Sequence, residues 1–235
     1  MFFENLRRDY NLTRLSRNDL ASDPLLQFRK WFDEAAGIQR SGRFRKFLIN
    51  SYKIFATGNT SQTSETNACT LATADKQGCP SARVVLLKEI DERGFIFFTN
   101  YESRKGRELA ENPQAALVFY WSDQARQVCI SGTVEKIPRT ESESYFKTRP
   151  RGSRLAAWAS SQSEIAENRA ALEMRWNEMA AKFPGDDIPT PPNWGGFLLS
   201  PKRIEFWQGR PSRLHDRFCY LRQPDKTWRL DRLYP

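Results

Sequence analysis

The chain has one histidine among 235 residues, and its four cysteines, Cys69, Cys79, Cys129 and Cys219, form no C-x-x-C pair. That leaves no workable zinc set and no disulfide framework, so the cysteines read as reduced thiols of an intracellular protein. No apolar run approaches the roughly 18 residues that a membrane span needs. The first ten residues lack the apolar core of a signal peptide, and their acidic side chains argue against a transit peptide. A cytoplasmic location without a membrane partner is therefore expected. Also missing are G-x-G-x-x-G, Walker A and G-x-S-x-G motifs, which argues against a Rossmann dinucleotide site, a P-loop and a nucleophile elbow.

The net charge of +9 raises the question of nucleic acid, but its distribution answers it. Residues 1–36 carry six basic and six acidic side chains, residues 37–65 five and one, and the remainder 26 and 21. No Lys/Arg block runs through the body of the chain. Basic residues stand singly or in pairs within strand-like text, which suits local anion sites better than a phosphate-tracking surface. No nucleic-acid partner is expected.

What the chain does have is aromatics: 16 Phe, 7 Trp and 7 Tyr, which favour strands and a packed interior. Residues 1–36 read as an arm and a short helix, with Asp23-Pro24 as N-cap and first helical position and Leu25, Phe28, Trp31 and Phe32 as its apolar stripe. Residues 37–65 are basic, then rich in Ser, Thr and Asn. Their Phe44, Phe47, Leu48, Tyr52 and Phe55 fit an amphipathic surface helix, but an inserted loop is the favoured reading. From residue 66 to 235 short β-rich runs alternate with turn signals, predicting an antiparallel barrel with flanking helices. The runs are 69–74, 81–89, 94–99, 115–121, 127–137, 196–200, 203–208, 218–222 and 227–233. One helix is expected over about 103–111. Another is expected from Ser161, whose Ser-x-x-Glu spacing to Glu164 suggests a capping box. It would run through Leu172, Trp176, Met179 and Phe183, a stripe most simply read as core.

Several places could carry chemistry. In Arg213-Leu214-His215-Asp216-Arg217, an extended backbone would send Arg213, His215 and Arg217 to one face, where three potential cations call for an anion opposite. The plain alternative is a solvated basic edge. Phe98-Thr99 ends a strand, and Ser103 can cap a helix that opens with Arg104-Lys105. Cations there oppose the helix dipole unless an anion binds. Arg83 and Lys88 bracket an apolar strand, five positions apart. Strict alternation puts them on opposite faces, so either a bulge realigns them or each serves a different group. Tyr145, Arg149 and Ser153, at intervals of four, suit a helical turn entering a Pro-Gly loop and offer the hydroxyl and guanidinium groups that hold a phosphate without metal. Gln127 and Gln162-Ser163 could hydrogen-bond a heteroaromatic edge. Taken alone, each of these is also ordinary polar surface. Together, two phosphate sites, aromatic walls and one histidine suit a mononucleotide cofactor and a second small phosphorylated ligand.

These blocks resemble the pyridoxamine (pyridoxine) 5′-phosphate oxidase family. The resemblance rests on Ser81–Lys88, Phe97–Lys105, Arg126–Val128, Tyr145–Ser153, Ser161–Ser163, Trp194–Gly196, Ile204–Gly209, Arg213–Arg217 and Asp231–Leu233, in the family's order. It implies an FMN-binding split β-barrel, a homodimer with FMN at the subunit interface, and oxidation of pyridoxamine or pyridoxine 5′-phosphate to pyridoxal 5′-phosphate with O2 as acceptor and H2O2 as product. It assigns FMN contacts to Arg83, Val84, Val85, Leu86, Leu87, Lys88, Phe98, Thr99, Arg104, Lys105, Gln127, Gln162, Ser163, Trp207 and Arg217. The substrate phosphate falls to Lys88, Tyr145, Arg149 and Ser153. Arg213, Leu214 and His215 are placed over the substrate ring, Arg213 and His215 as the catalytic pair, and Arg7, Arg8, Asp9 and Tyr10 in an arm that can cover it. Residues 37–65 exceed the family's usual link at this place. Two rival readings use the same residues: a same-fold flavoprotein with another substrate, such as a flavin reductase-like enzyme, and a silent binder of FMN or pyridoxal phosphate. The Tyr145/Arg149/Ser153 set weighs against the first.

Overall fold

The computed structural model describes residues 14–38 and 65–235, with the backbone of the two-residue strand β1 (Tyr52–Lys53). Arg7, Arg8, Asp9 and Tyr10, and nearly all of the expected insertion at 37–65, lie outside the described residues. The other strands are β2 (Ala68–Ala74), β3 (Pro80–Ile90), β4 (Phe95–Asn100), β5 (Gln114–Trp121), β6 (Arg126–Lys136), β7 (Trp194–Gln208), β8 (Asp216–Arg222) and β9 (Trp228–Leu233). Every pairing is antiparallel. The order β3-β2-β5-β6-β7 is closed by β4, which pairs with both β3 and β7, giving a six-stranded barrel. Strands β8 and β9 extend the sheet from β7.

Alternation fixes which side chains enter the barrel. Leu71, Leu87, Phe97, Leu117, Phe119, Ile130, Ile204 and Phe206 point inward and are essentially unexposed. Helix α1 (Pro24–Ala35) starts as its sequence predicts, with the Asp23 carboxylate accepting the Leu25 N–H at 2.8 Å and Pro24 in the first turn. It lays Phe28 against Phe95 and Phe119, at ring distances of 5.0 and 4.9 Å, and Trp31 edge-on to Phe206 at 5.2 Å. Burying each such ring contributes roughly 1.5–3 kcal/mol.

The outward face is also continuous. Cα partners run Val84, Thr70, Val118, Cys129, Glu205, Cys219 and Asp231 across β3, β2, β5, β6, β7, β8 and β9. Directly opposed residues share a face, so this rank joins the exposed Val84 to the C-terminal strands. The runs expected at 196–200 and 203–208 are one strand, bent where the β6 register shifts between Ser131 and Gly132. A Cβ on Gly132 would stand 2.1 Å from the Ser200 carbonyl oxygen, so only glycine allows this crossing.

Helix α2 (Arg104–Glu111) follows Ser103 as expected. Two helical expectations need correction. Ser161 and Glu164 close a turn through a backbone bond of 3.0 Å; the helix α5 (Arg169–Lys182) starts later, capped by the Asn168 side chain. Its stripe is not core, because Leu172 and Trp176 are exposed and no residue of α5 is buried. Only Met179, Ala180 and Phe183 near its end pack, against Phe146, Leu155, Ile188 and Trp194. The expected Pro-Gly loop after Tyr145 is instead a junction of two helices, α3 (Arg139–Lys147) and α4 (Arg151–Ala159), with Pro150 as the N-cap of the second. Among the described residues no helix is long and apolar enough to cross a membrane.

Candidate active site

A cleft of about 1510 Å³ opens between β3, β4 and the starts of α2, α3 and α4. That exceeds the ~300–1,000 Å³ of a usual single-ligand pocket and leaves room for two ligands. Its wall includes Arg83, Val84, Val85, Leu86, Lys88, Phe98, Thr99, Arg104, Lys105, Tyr145, Arg149, Ser153, Gln162 and Ser163. Arg83 and Lys88 share it because the β3–β4 register slips between Leu87 and Glu89, so the bulge reading holds. Leu87 is not part of the wall. Its side chain is in the barrel core, its N–H donates to the Asn67 carbonyl and its own carbonyl accepts from the Asn67 side chain, both at 2.9 Å. The Leu87 side chain therefore does not reach the cleft, unlike those of the other expected contacts on β3.

One end of the cleft is built on the start of α2. The Ser103 hydroxyl accepts the Gly106 N–H at 3.3 Å, and Gly106 allows the helix to pass over the Tyr101 carbonyl, which a Cβ would meet at 2.1 Å. Lys105 is buried. Its Nζ donates to Thr99 Oγ1 and Gln162 Oε1, both at 3.1 Å. Burial first, then the neighbouring Arg83 cation, brings its pKa down to about 8, with Glu108 opposing. Arg83 donates to Thr73, Ser81 and the Leu71 carbonyl and reaches Glu108 at 3.2 Å; Arg104 Nε donates to Glu108 at 2.8 Å. Burial pushes the Glu108 carboxyl up, but hydrogen bonds from Ser81, Thr73, Arg104 and Arg83 outweigh it and hold the pKa at about 2.

At the other end, the ring of Tyr145 stacks on Phe98 with centroids 3.9 Å apart, and Phe98 stacks on Trp194 at 5.4 Å. The Arg149 guanidinium lies 4.8 Å from the Trp194 centroid, and its buried Nη1 has no hydrogen-bond partner among the described residues. Burial lowers the Arg149 pKa, with Tyr145 opposing, and also lowers that of Lys88, where Glu65 opposes and the Arg149 cation adds to the effect. Two desolvated cations thus line one cleft, and one of them, Arg149, carries an unsatisfied donor, which suits an anion of more than one charge.

Gln127, Trp207, Arg213, Leu214, His215 and Arg217 do not line this cleft. They form a second group at the β6–β7–β8 end, where Gln127, Trp207 and Arg217 are successive Cα partners. Here the expected alternation is corrected. Residues 211–213 form a 3-10 turn with Ser212 and Arg213 at φ 55° and 60°, and β8 begins only at Asp216. Arg213 and His215 are therefore carried by a turn, and strand pleat does not align them with Arg217. His215 lies 4.6 Å from the Trp207 ring and its Nδ1 accepts the Arg210 N–H at 3.1 Å, which places the proton of the neutral ring on Nε2. Burial first, then the Arg213 and Arg217 cations, lower its pKa. Arg217 donates to Glu205 at 2.7 Å and to the Tyr234 carbonyl at 3.0 Å. Leu214 is solvent-exposed.

Sequence reasoning missed four participants. Trp194 carries Arg149, Glu108 gathers two cleft arginines, and Glu205 holds Arg217. Asp216 is buried beneath the turn, accepting the Leu15 N–H at 3.1 Å and Arg232 Nη1 at 2.9 Å. For Glu108 a signal existed: an acid four residues after Arg104 in a helix that opens with cations.

A six-stranded antiparallel barrel with flanking helices and a basic cleft on its outer wall defines the split β-barrel class. Residues 60–183 match the family model described as pyridoxamine 5′-phosphate oxidase, and residues 194–235 the one described as the pyridoxine 5′-phosphate oxidase C-terminal dimerisation region. The pyridoxine/pyridoxamine 5′-phosphate oxidase of Nostoc punctiforme is 52% identical over 231 residues, covering 98% of this chain and 97% of that protein. The one from Cupriavidus necator is 51% identical over 231 residues, covering 98% of each. Among solved structures, PhzG from Burkholderia lata, in complex with tetrahydrophenazine-1-carboxylic acid, superposes with a TM-score of 0.79 at 31% identity, covering 96% of this chain and 100% of that one. The chain belongs to the pyridoxamine 5′-phosphate oxidase family.

Proposed function

We propose that the chain is a cytoplasmic, homodimeric FMN-dependent oxidase that converts pyridoxamine 5′-phosphate or pyridoxine 5′-phosphate to pyridoxal 5′-phosphate, with O2 as acceptor and H2O2 as product. The observation that carries this reading is the presence of two separate cationic ends in one cleft, Arg83/Arg104/Lys105 and Lys88/Arg149, the second with a buried guanidinium nitrogen that lacks a partner. The first end fits a mononucleotide phosphate, since Arg104 and Lys105 stand in the first turn of a helix where an anion relieves their conflict with the dipole. The exposed Val84 beside it offers an apolar wall for a flavin ring. When bound, FMN would supply the two-electron acceptor for hydride removal from the substrate's 4′ carbon.

The chain's own residues bind and orient. Lys88, Arg149, Tyr145 and Ser153 hold the substrate phosphate and thereby set the ring's depth in the cleft. Gln127, Trp207 and Arg217 serve the flavin from the second group, and Arg213 and His215 hold the substrate ring from above. None of this second group lines the cleft of its own chain, and on this reading it reaches the cleft of a partner copy. The match to a dimerisation region over 194–235 supports that arrangement. Neutral His215 contributes its Nε2–H as a donor, and the contribution of Arg213 and His215 is positional.

Purified protein should carry a yellow flavin spectrum and release peroxide with pyridoxine 5′-phosphate. Flavin binding without turnover of either B6 phosphate would contradict the assignment. It would favour a silent binder or a different substrate, such as the unphosphorylated tricyclic ligand of PhzG.

A further inference from the structure

Glu108 presents a paradox for an anion site. It is a carboxylate only 6% exposed, placed among the residues proposed to receive a phosphate. Four side chains donate to it. Thr73, Ser81 at 2.6 Å and Arg83 at 3.2 Å share one oxygen, and Arg104 Nε takes the other at 2.8 Å. No other carboxylate among the described residues pairs with Arg83 or Arg104. Arg104 is engaged through Nε, and its side chain is otherwise largely exposed, so the outer edge formed by its two terminal nitrogens remains available.

Two physical consequences follow. Arg83, Arg104 and Lys105 supply three positive charges and Glu108 removes one, leaving a cradle near +2 to face a phosphate monoester of roughly −1.5 to −2. A guanidinium held at one edge also loses little rotamer freedom when its other edge takes up a ligand, which lowers the entropic cost of binding.

We infer that Glu108 is the positioning residue of the cofactor-phosphate cradle: it touches no ligand, but it fixes Arg83 and Arg104 in the orientation that distinguishes a phosphorylated flavin from an unphosphorylated one. The inference rests on the FMN reading above. If Glu108 were only a counter-ion that the phosphate must outcompete, its removal would tighten FMN binding, so the sign of the effect separates the two roles.

The test is the ratio of riboflavin to FMN dissociation constants, read by flavin fluorescence on the cofactor-stripped full chain. Riboflavin has the same ring and no phosphate. Wild type should prefer FMN by about a hundredfold or more, and Glu108→Ala should cut that preference about tenfold or more while riboflavin affinity stays within about twofold. Glu108→Gln, which keeps one acceptor oxygen and the side-chain volume, should lie between them. If Glu108→Ala shows no cooperative melt, Glu108→Gln alone decides, with a loss of preference of about threefold or more expected. An unchanged or increased preference in the folded variants would overturn the inference and leave the FMN reading standing. A wild type that does not distinguish the two flavins would overturn both.

Discussion

The guanidinium carbon of Arg149 sits 4.8 Å from the centre of the Trp194 ring, and one of its buried terminal nitrogens has no hydrogen-bond partner among the described residues. A buried donor left unmet costs free energy, so this pair is poised for an anion. Arg149→Met should keep the stacking volume and remove the donors. The expected result is a rise in KM for pyridoxine 5′-phosphate of roughly 10–100-fold, equivalent to about 1.5–3 kcal/mol for a charged hydrogen bond, with flavin content unchanged. Steady-state kinetics with the flavin absorbance as control would check it; equal loss of flavin would contradict the assignment.

His215 is the only histidine, so its imidazole nitrogens give one resonance pair. With Nδ1 accepting the Arg210 N–H, the neutral ring should show the Nε2–H tautomer. Burial, Arg213 and Arg217 favour that neutral form, so its midpoint should fall below the usual 6.5. The sign for stability follows. The folded state binds this proton less readily than the unfolded chain, so the contribution is present above about pH 6.5 and declines as pH falls from there through the lower folded value. A heteronuclear NMR titration showing a midpoint above 6.5 would refute this environment.

Glu108 should leave a separate acid signature. Its folded pKa of about 2 lies below the unfolded carboxyl range, so its contribution is complete above about pH 4.5 and is lost as pH falls towards 2. The melting-temperature gap between wild type and Glu108→Gln should therefore narrow between those pH values. A gap independent of pH would mean that the carboxylate charge does not matter to the fold.

Asp216 ties the chain's start to the turn before β8, through the Leu15 N–H and the Arg232 guanidinium. Asp216→Asn should cost about 1–3 kcal/mol, below the range for fully buried pairs because Arg232 is half-exposed. Tryptic cleavage after Arg14 and Arg17 should accelerate. Unaltered melting and proteolysis would show that the clamp carries no weight.

The barrel was legible because period-two alternation with aromatics and turn residues is a local signal, and it located nearly every strand from β2 to β9. The cap of α1 and the start of α2 were legible for the same reason, through Asp23, Pro24 and Ser103. Positions set by distant partners were not. Ser212 and Arg213 adopt positive φ without glycine to announce it, so the turn carrying His215 read as strand. The helical spacing of Leu172 and Trp176 reports a face, not whether another element covers it. The Lys88 bulge exists only as a register relation between β3 and β4. The phosphate-type residue sets were recognisable one by one, but their division between the cleft and the turn beside Trp207 needed the three-dimensional order of the strands.

The most direct test of the central claim, that each cleft is completed by the partner's turn, is subunit complementation. Arg149→Met damages the cleft and Arg213→Met the turn, so each homodimer alone should turn over slowly. After subunit exchange, half of the dimers should be mixed and each should hold one intact site, restoring about one quarter of wild-type activity. Confirmed exchange with no recovery would contradict a site shared between protomers.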